Sequence, residues 1–204
     1  MRAKSATTYR SAMDLQLTVL RACTSPLIIS EVCVKVRLTN SQAIDLLNLL
    51  GSSGMIETKK SSEVIRVDRR SERSDAVFFV RTNKGAEAIA EYENLLMFAG
   101  DSLGNWEKLS FKLVFDALGK LEGKSYLGKI AEEVGRSSTI AKSALEYLIS
   151  RDLARPEETV GNKSFFSRTE LGERAAAQYR RFIDLFAPVE GHEYKKAICL
   201  TKRS

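Results

Sequence analysis

The chain has 204 residues, of which 44% are hydrophobic and 28% are charged. It is longer than the usual ~100 to 150 residues of one domain, so we expect two small domains with hydrophobic cores. A formal net charge of +6 suits a polyanionic partner without requiring one. No segment has the ~18 consecutive apolar residues of a membrane span, and the N-terminus lacks the apolar stretch of a signal peptide. The composition therefore predicts a soluble cytoplasmic protein without a membrane partner.

The cysteines argue against two further classes of protein. Cys23, Cys33 and Cys199 are odd in number and form no C-x-x-C pair, so neither a disulfide framework nor a zinc site is indicated. We expect Cys23 and Cys33 to be small buried apolar residues in helices of a reducing compartment. No metal and no other cofactor is predicted.

The first half of the chain predicts three helices. Apolar residues recur at helical spacing in three stretches: Leu15 to Ala22, Ile29 to Val36 and Ala43 to Leu50. Pro26 marks the turn after the first helix. Either Thr39 or Asn40 can cap the third helix, and Gly51 with Gly54 can end it.

A β-hairpin and a closing helix are predicted next. The segments "MIETKK", "EVIRV" and "VFFVRT" are typical of short strands, and "DRRSERSD" is suited to the hairpin tip between the last two. Thr82 can then cap a helix from Asn83 to Phe98.

The second half repeats this order. Three helices are predicted at Leu109 to Leu118, Leu127 to Val134 and Ser138 to Ser150. A hairpin follows around the turn residues Gly161 and Asn162, and a closing helix runs from Thr169 to Phe186.

One phrase occurs in both halves. "FFVRTNKG", from Phe78 to Gly85, returns as "FFSRTELG", from Phe165 to Gly172, and the helices behind it also match. We expect the two glycines in the first turn of each closing helix, where a missing side chain lets the hairpin or a neighbouring helix approach closely. The predicted fold is mainly α with small β-hairpins (α+β): a tandem winged helix-turn-helix of two α-α-α-β-β-α repeats.

The repeat sets the predicted domain boundaries. They are 9–98 for the first winged helix-turn-helix domain, 99–105 for a linker, 106–187 for the second such domain and 188–204 for a basic C-terminal tail.

Three stretches of the first copy are distinctive: "YRSAMD" leading into "VLRA", then "LTNSQAIDLLNLLGSSGMIE", then "VRTNKGAEAIAEYENLL". In these stretches the chain resembles a known family, the archaeal winged helix-turn-helix transcriptional regulators. Where the family has a leucine before the threonine of the last motif, this chain has Arg81 and, in the second copy, Arg168. The resemblance implies a duplex DNA-binding regulator of transcription, located in the cytoplasm at the nucleoid.

Candidate DNA-binding residues follow from the third helix and the hairpin of each copy. A helix-turn-helix protein inserts its recognition helix in the major groove, and the residues at its N-terminal end meet the base edges. Cations on a hairpin suit the minor groove or the flanking backbone. The candidates in the first copy are Thr39, Asn40, Ser41, Gln42, Asn48, Lys59, Lys60, Arg66, Arg69, Arg70 and Arg73, and those in the second are Arg136, Ser138, Thr139, Lys142 and Ser143.

Several of these features can be explained without DNA binding. Thr39 or Asn40 can serve as a simple helix cap, and the mixed charges of the first hairpin can form a solvated loop. The second hairpin carries Glu157 and Glu158 with only Lys163, which makes it a poor candidate for phosphate contact.

The closing helices carry aromatic and aliphatic stripes. Tyr92 and Leu95 belong to one, and Tyr179 and Phe182 to the other. Such stripes predict that the two helices pair, either between the copies or between two chains as a homodimer; packing within one domain core is the alternative.

Nothing in the sequence calls for catalysis, and we expect no enzyme. "GKLEGKS", Gly119 to Ser125, has the wrong glycine spacing for a nucleotide-binding loop. His192 lacks a nucleophile with an orienting carboxylate. The alternative function is that of a tandem winged-helix adaptor for proteins in a transcription or chromosome-associated complex, since fold alone does not decide function.

Overall fold

The computed structural model describes residues 12–64, 76–100 and 109–189. These residues form a mixed α+β structure of helices and two small antiparallel sheets. They divide into two compact units: the first comprises 12–64, 76–89 and 185–189, and the second comprises 90–100 and 109–184. None of the helices within these ranges combines the length and the apolar character that a bilayer span demands.

The first unit contains three helices and a hairpin in the predicted order. Its elements are α1 (Ala12–Ala22), α2 (Ile29–Val36), α3 (Asn40–Ser52), β1 (Ile56–Lys60), a 3-10 turn (Ser61–Glu63), β2 (Val77–Arg81) and the first part of α4 (Asn83–Ala99). Strands β1 and β2 are antiparallel, with Ile56 opposite Arg81. The predicted strand "EVIRV" differs, because Glu63 lies in the 3-10 turn. Its residues from 65 onward lie outside the described part of the chain.

The second unit has the same order. After the second part of α4 come α5 (Phe111–Gly119), β3 (Ser125–Tyr126), α6 (Leu127–Glu133), α7 (Ser138–Ser150), β4 (Ala154–Val160), β5 (Lys163–Arg168) and α8 (Glu170–Leu185). Its sheet has the order β3-β5-β4. Residues 90–98, which were predicted within the first domain, group with this unit.

Each unit pairs a short extended segment with the last strand of its hairpin. In the second unit this segment is β3, where Ser125 lies opposite Phe166. In the first unit Leu27 and Phe79 form an isolated antiparallel bridge, in which both backbone N–H groups donate to the partner's carbonyl. The sequence did not predict this third extended segment, because one or two residues cannot produce a strand pattern.

The core of the first unit is built from the inner faces of its helices and hairpin. Val19, Leu20, Val32 and Leu50 are almost fully buried. Cys23 is fully buried, as expected, but it lies in the turn just after α1 and not in a helix. Cys33 lies in α2, as expected, but it is only half-buried, so the expectation of a buried thiol is wrong for Cys33.

An aromatic cluster fills the core of the second unit. The ring centroids of Phe111 and Phe115 are 4.6 Å apart, and Tyr92 lies 4.8 Å from Phe111. From α8, Phe182 is fully buried and Tyr179 nearly so. The Tyr179 hydroxyl donates to Asp116 Oδ1 at 2.8 Å. Burial, with the nearby Asp116 carboxylate, raises the pKa of Tyr179, so this residue stays protonated.

The repeated phrase forms the same junction in both units. Thr82 Oγ1 accepts from the N–H of Gly85 at 3.2 Å, and Thr169 Oγ1 accepts from the N–H of Gly172 at 3.0 Å. Each threonine hydroxyl donates to the carbonyl that follows the third helix: Gly54 at 2.7 Å or Asp152 at 2.5 Å. The prediction that Thr82 caps the first closing helix is confirmed, and Thr169 caps the second in the same way.

The prediction of a close approach at the two glycines is also confirmed. A Cβ on Gly85 would overlap the carbonyl oxygen of Met55, and one on Gly172 would overlap that of Leu153. Met55 and Leu153 each precede the first hairpin strand of their unit. The glycines therefore let the closing helix pack directly on the start of the hairpin.

Several predicted features lie outside the described residues. They are the linker from residue 101 onward, the tail from residue 190 onward, and the hairpin arginines Arg66, Arg69, Arg70 and Arg73.

Candidate nucleic-acid interface

The first turn of α3 is exposed, and two of its candidate residues are engaged in capping. Thr39 Oγ1 accepts from the backbone N–H of Gln42 at 3.3 Å, and the Gln42 side-chain oxygen accepts from the N–H of Thr39 at 3.0 Å. This reciprocal capping box fixes the start of the helix. Asn40 and Ser41 are exposed beside it, whereas Asn48 is half-buried further along. The positions best placed to reach a partner from α3 are thus Asn40 and Ser41.

The first turn of α7 is also exposed, and it is more basic. Ser137 is the N-cap, and Arg136 immediately before it is exposed, as are Ser138, Thr139 and Lys142. Ser143 is half-buried, and its hydroxyl donates to the backbone carbonyl of Thr139 at 3.2 Å. The α7 surface therefore presents two cations and two small hydroxyl groups, while Ser143 satisfies its hydrogen bond within the helix.

A groove of about 610 Å³ lies between α7 and the β4–β5 hairpin, and we call it the α7 groove. One face of α7 forms a wall, and the start of α6 and the second hairpin strand form the rest. The lining residues are Tyr126, Leu127, Gly128, Ser138, Lys142, Leu145, Glu146, Ile149, Asn162, Lys163, Ser164 and Phe166. The structure thus brings two candidate residues, Ser138 and Lys142, together with Lys163 of the hairpin.

The α7 groove combines cations with an apolar floor. Lys163 Nζ lies 4.5 Å from the centre of the Tyr126 ring, within the range of a cation–π contact. Lys142 Nζ is 3.8 Å from Glu146 Oε1, and both side chains are more than half exposed. Because exposed pairs of this kind contribute little, Lys142 is available to another anion.

Both acids of the second hairpin have partners within the hairpin region. Glu158 pairs with Lys124 at 2.9 Å, which raises the pKa of Lys124. The hydroxyl of Ser167 donates to Glu157, and together with Arg155 at 3.0 Å it lowers the pKa of that carboxyl. The negative charges of Glu157 and Glu158 are therefore offset locally. This hairpin should repel an anion less than its sequence alone suggests.

The described part of the first hairpin carries two of the predicted cations. Lys59 is half-buried and pairs with Glu57 at 2.9 Å, while Lys60 is exposed next to the 3-10 turn. Of these two, Lys60 is better placed for a phosphate. The four arginines predicted further along this hairpin lie outside the described ranges.

The arginine of the repeated phrase has a structural role in the second unit. Arg168 is 9% exposed, and its guanidinium donates to the carbonyls of Leu118 at 2.8 Å and Gly119 at 2.6 Å. It also pairs with Glu173 at 2.9 Å. These two carbonyls end α5, so Arg168 caps that helix through its side chain. The sequence marks Arg168 only as a departure from the family pattern, and these contacts give it a structural role in the second unit.

Sequence reasoning missed the residues that complete the α7 groove. Tyr126 and Asn162 were not candidates, and Lys163 was discounted because of the neighbouring acids. Their convergence depends on β3 pairing with β5, which places Tyr126 opposite Phe165. A two-residue strand leaves no periodic signal from which this could be read.

Within residues 12–64, 76–100 and 109–189, no group of three His, Cys, Asp or Glu side chains is placed to hold a metal ion. No protein-family model matches the chain, and a comparison with curated proteins found no significant match.

Proposed function

We propose that the chain is a tandem winged helix-turn-helix protein that binds duplex DNA and regulates transcription without catalysing a reaction. The proposal treats α3 and α7 as the recognition helices and the two hairpins as wings. It assigns the protein to the cytoplasm, at the nucleoid. The observation that carries it is the α7 surface, where exposed Arg136 and Lys142 flank the small hydroxyl groups of Ser138 and Thr139.

This surface has the chemistry that DNA recognition requires. Phosphate contacts by Arg and Lys supply affinity, whereas short polar groups at a helix N-terminus can reach base edges or phosphates. The dipole of a 13-residue helix adds positive potential at the same end. In the first unit, exposed Asn40 and Ser41 occupy the corresponding turn. α3 contains no Lys or Arg, so we expect α7 to contribute more of the affinity.

Salt dependence is the direct test. The purified chain is titrated into a labelled random-sequence duplex at several salt concentrations, and anisotropy gives the dissociation constant. We expect affinity to fall as salt rises, because bound phosphates release counterions. Sequence selection on the bound fraction then defines the site. Absence of salt-dependent binding would overturn the proposal.

A protein adaptor is the second candidate, and exposed apolar side chains favour it. Val34 of α2 is 78% exposed and Met97 of α4 is 79% exposed. Large exposed apolar side chains are frequent where proteins associate, although single ones are normal. If the protein is an adaptor, Val34→Ser should abolish association with a protein partner while leaving the fold intact. Duplex DNA should then bind this protein no more tightly than it binds a protein without net charge.

A homodimer through the C-terminal helices is also part of the proposal. Tyr179 and Phe182 of α8 are already buried in the second unit, so a dimer would need other residues of these helices. Met97 is the most exposed apolar side chain on α4. Sedimentation equilibrium of the wild-type chain and of Met97→Glu tests this: a dimer that the substitution dissociates would support it, and a monomeric wild type would exclude it.

A further inference from the structure

The α7 groove has the size and composition of a small-molecule site. Ligand pockets commonly enclose about 300 to 1,000 Å³ and combine an apolar lining with a few polar groups, and this groove measures about 610 Å³. Leu145 is buried at its floor, and Ile149 and Phe166 are half-buried beside it. Lys142 and Lys163 stand at its polar rim.

The charges of the groove favour an anion. Two lysines face one acid, Glu146, and the start of α7 at Ser138 adds the positive end of a helix dipole. Lys142 is held only by an exposed pair with Glu146 at 3.8 Å. Lys163 lies over the Tyr126 ring, which places an ammonium group beside an aromatic face. A carboxylate joined to an apolar ring would satisfy both the rim and the floor.

The internal repeat shows that these groove residues are not demanded by the fold. The junction residues are the same in both copies, as at Thr82 and Thr169. The groove positions differ: the first copy has, in the equivalent places, Ile28 for Tyr126, Ile44 for Lys142, Asn48 for Glu146 and Ala76 for Lys163. Among the described residues both copies form the same helices and hairpin, so the fold does not require charged and aromatic side chains at these four positions.

We propose that the α7 groove binds a small organic acid with an aromatic body, and that this ligand competes with duplex DNA for Ser138 and Lys142. The second part rests on the proposed function, because both residues belong to the candidate DNA surface. A bound carboxylate would neutralise Lys142 and Lys163 and occupy the space beside the first turn of α7. The protein would then release DNA from its second unit when the acid accumulates.

Calorimetry on the full chain without DNA tests the site itself. The probes are 2-naphthoate, its neutral analogue 2-naphthamide and inorganic phosphate. We expect 2-naphthoate to bind at millimolar concentration or below. The other two probes should bind at least about tenfold more weakly, since the amide lacks the carboxylate and phosphate lacks the apolar ring. No binding of 2-naphthoate, or equal binding of the amide, would overturn the proposal.

Substitutions at the rim give effects of opposite sign. Lys163→Gln should weaken 2-naphthoate binding by about three- to tenfold, and Glu146→Gln should strengthen it by about two- to fivefold, because the nearest negative charge is removed. A gain of affinity cannot arise from a poorly folded variant. Lys112→Gln, an exposed lysine of α5 outside the groove, is the matched control and should leave affinity unchanged. Equal losses for Lys163→Gln and Lys112→Gln would mean that binding is a general charge effect and would overturn the site.

The competition is measured separately. 2-Naphthoate should raise the dissociation constant for duplex DNA, and Lys163→Gln should reduce this response. Binding of 2-naphthoate without binding of DNA would support the ligand site and contradict the proposed function. A chain that binds both independently would overturn the competition.

Discussion

Gly172 lies so close to Leu153 that a Cβ on the glycine would overlap the leucine carbonyl oxygen. The same carbonyl accepts a hydrogen bond from the N–H of Thr169 at 3.3 Å. In the first unit Gly85 and Met55 repeat this relationship, and Met55 accepts from Thr82 at 3.0 Å. A backbone carbonyl fixed by a hydrogen bond cannot move aside as a flexible side chain could. The junction of hairpin and closing helix therefore requires glycine.

Gly172→Ala and Gly85→Ala should each destabilise their unit. The expected loss is about 1–3 kcal/mol in the free energy of unfolding, because the methyl group must displace the backbone at the start of the hairpin. Urea unfolding monitored by circular dichroism measures it. Gly119→Ala is the control: a Cβ there meets open space, so the change should be neutral or slightly stabilising. Equal losses at Gly119 and Gly172 would contradict the explanation.

Arg168→Leu should weaken the second unit. It leaves the carbonyls of Leu118 and Gly119 without the guanidinium that now caps them, at a cost of about 1–3 kcal/mol. Arg180→Ala is the matched control, since Arg180 is exposed and pairs with the exposed carboxylate of Glu122; we expect a change below about 0.5 kcal/mol.

DNA affinity separates this structural role from a binding role. The folded fraction of Arg168→Leu should bind duplex DNA as the wild type does, measured by anisotropy at a temperature below its unfolding transition. A reduced salt slope in this variant would instead indicate a phosphate contact.

The local signals of the sequence were sufficient for the helices and for the caps at Thr39 and Thr82. Thr39 and Gln42 have the spacing of a capping box, and the duplicated phrase marks Gly85 and Gly172. These features depend on residues close in the chain, or on a repeat that can be counted. The helix bounds consequently agree with the structure to within a few residues.

The features that could not be predicted depend on contacts distant in sequence. Arg168 reaches the end of α5, and Lys163 lines the same groove as Lys142. Neither arrangement has a spacing rule, because the turn and helix lengths between the residues set the geometry. The half-burial of Cys33 is similar, since it depends on how far α2 is covered by its neighbours.

The α7 surface should contribute more to DNA binding than the described hairpin of the first unit. Arg136→Ala and Lys142→Ala should each weaken binding to random duplex, and each should lower the salt slope by about one if the side chain neutralises a phosphate. Lys60→Ala should have a smaller effect, and Lys112→Ala should have none. Titrations at matched salt concentrations compare the four variants with the wild type. Equal effects of Lys112→Ala and Lys142→Ala would show that only net charge matters.

Thiol reactivity should distinguish the two described cysteines. Cys33 is half-buried and Cys23 is fully buried, so iodoacetamide should modify Cys33 in the native protein and Cys23 only after unfolding. Peptide mapping by mass spectrometry after short exposures reads both sites in one sample. Modification of Cys23 at the rate of Cys33 in native buffer would show that the core of the first unit opens readily.

The buried thiol of Cys23 should also make stability fall at alkaline pH. Burial raises the pKa of Cys23 from 9.0 to about 11, against a smaller lowering by the nearby charges of Lys35 and Arg81. The unfolded chain therefore releases this proton first as the pH rises. The stabilisation is fully present below pH 9.0 and is lost progressively up to about pH 11, by about 3 kcal/mol in total.

Urea unfolding at intervals between pH 8 and pH 11 measures this loss. Tyr179 adds a decline of the same sign, because its pKa is also raised, so the Cys23 contribution is obtained from the difference between the wild type and Cys23→Ala. That variant should show a flatter profile. Val19→Ala, which removes buried apolar volume from the preceding helix α1 without a titrating group, should lower stability by a similar amount at every pH and keep the wild-type slope. A Cys23→Ala profile parallel to that of Val19→Ala would mean that the thiol does not titrate differently on folding.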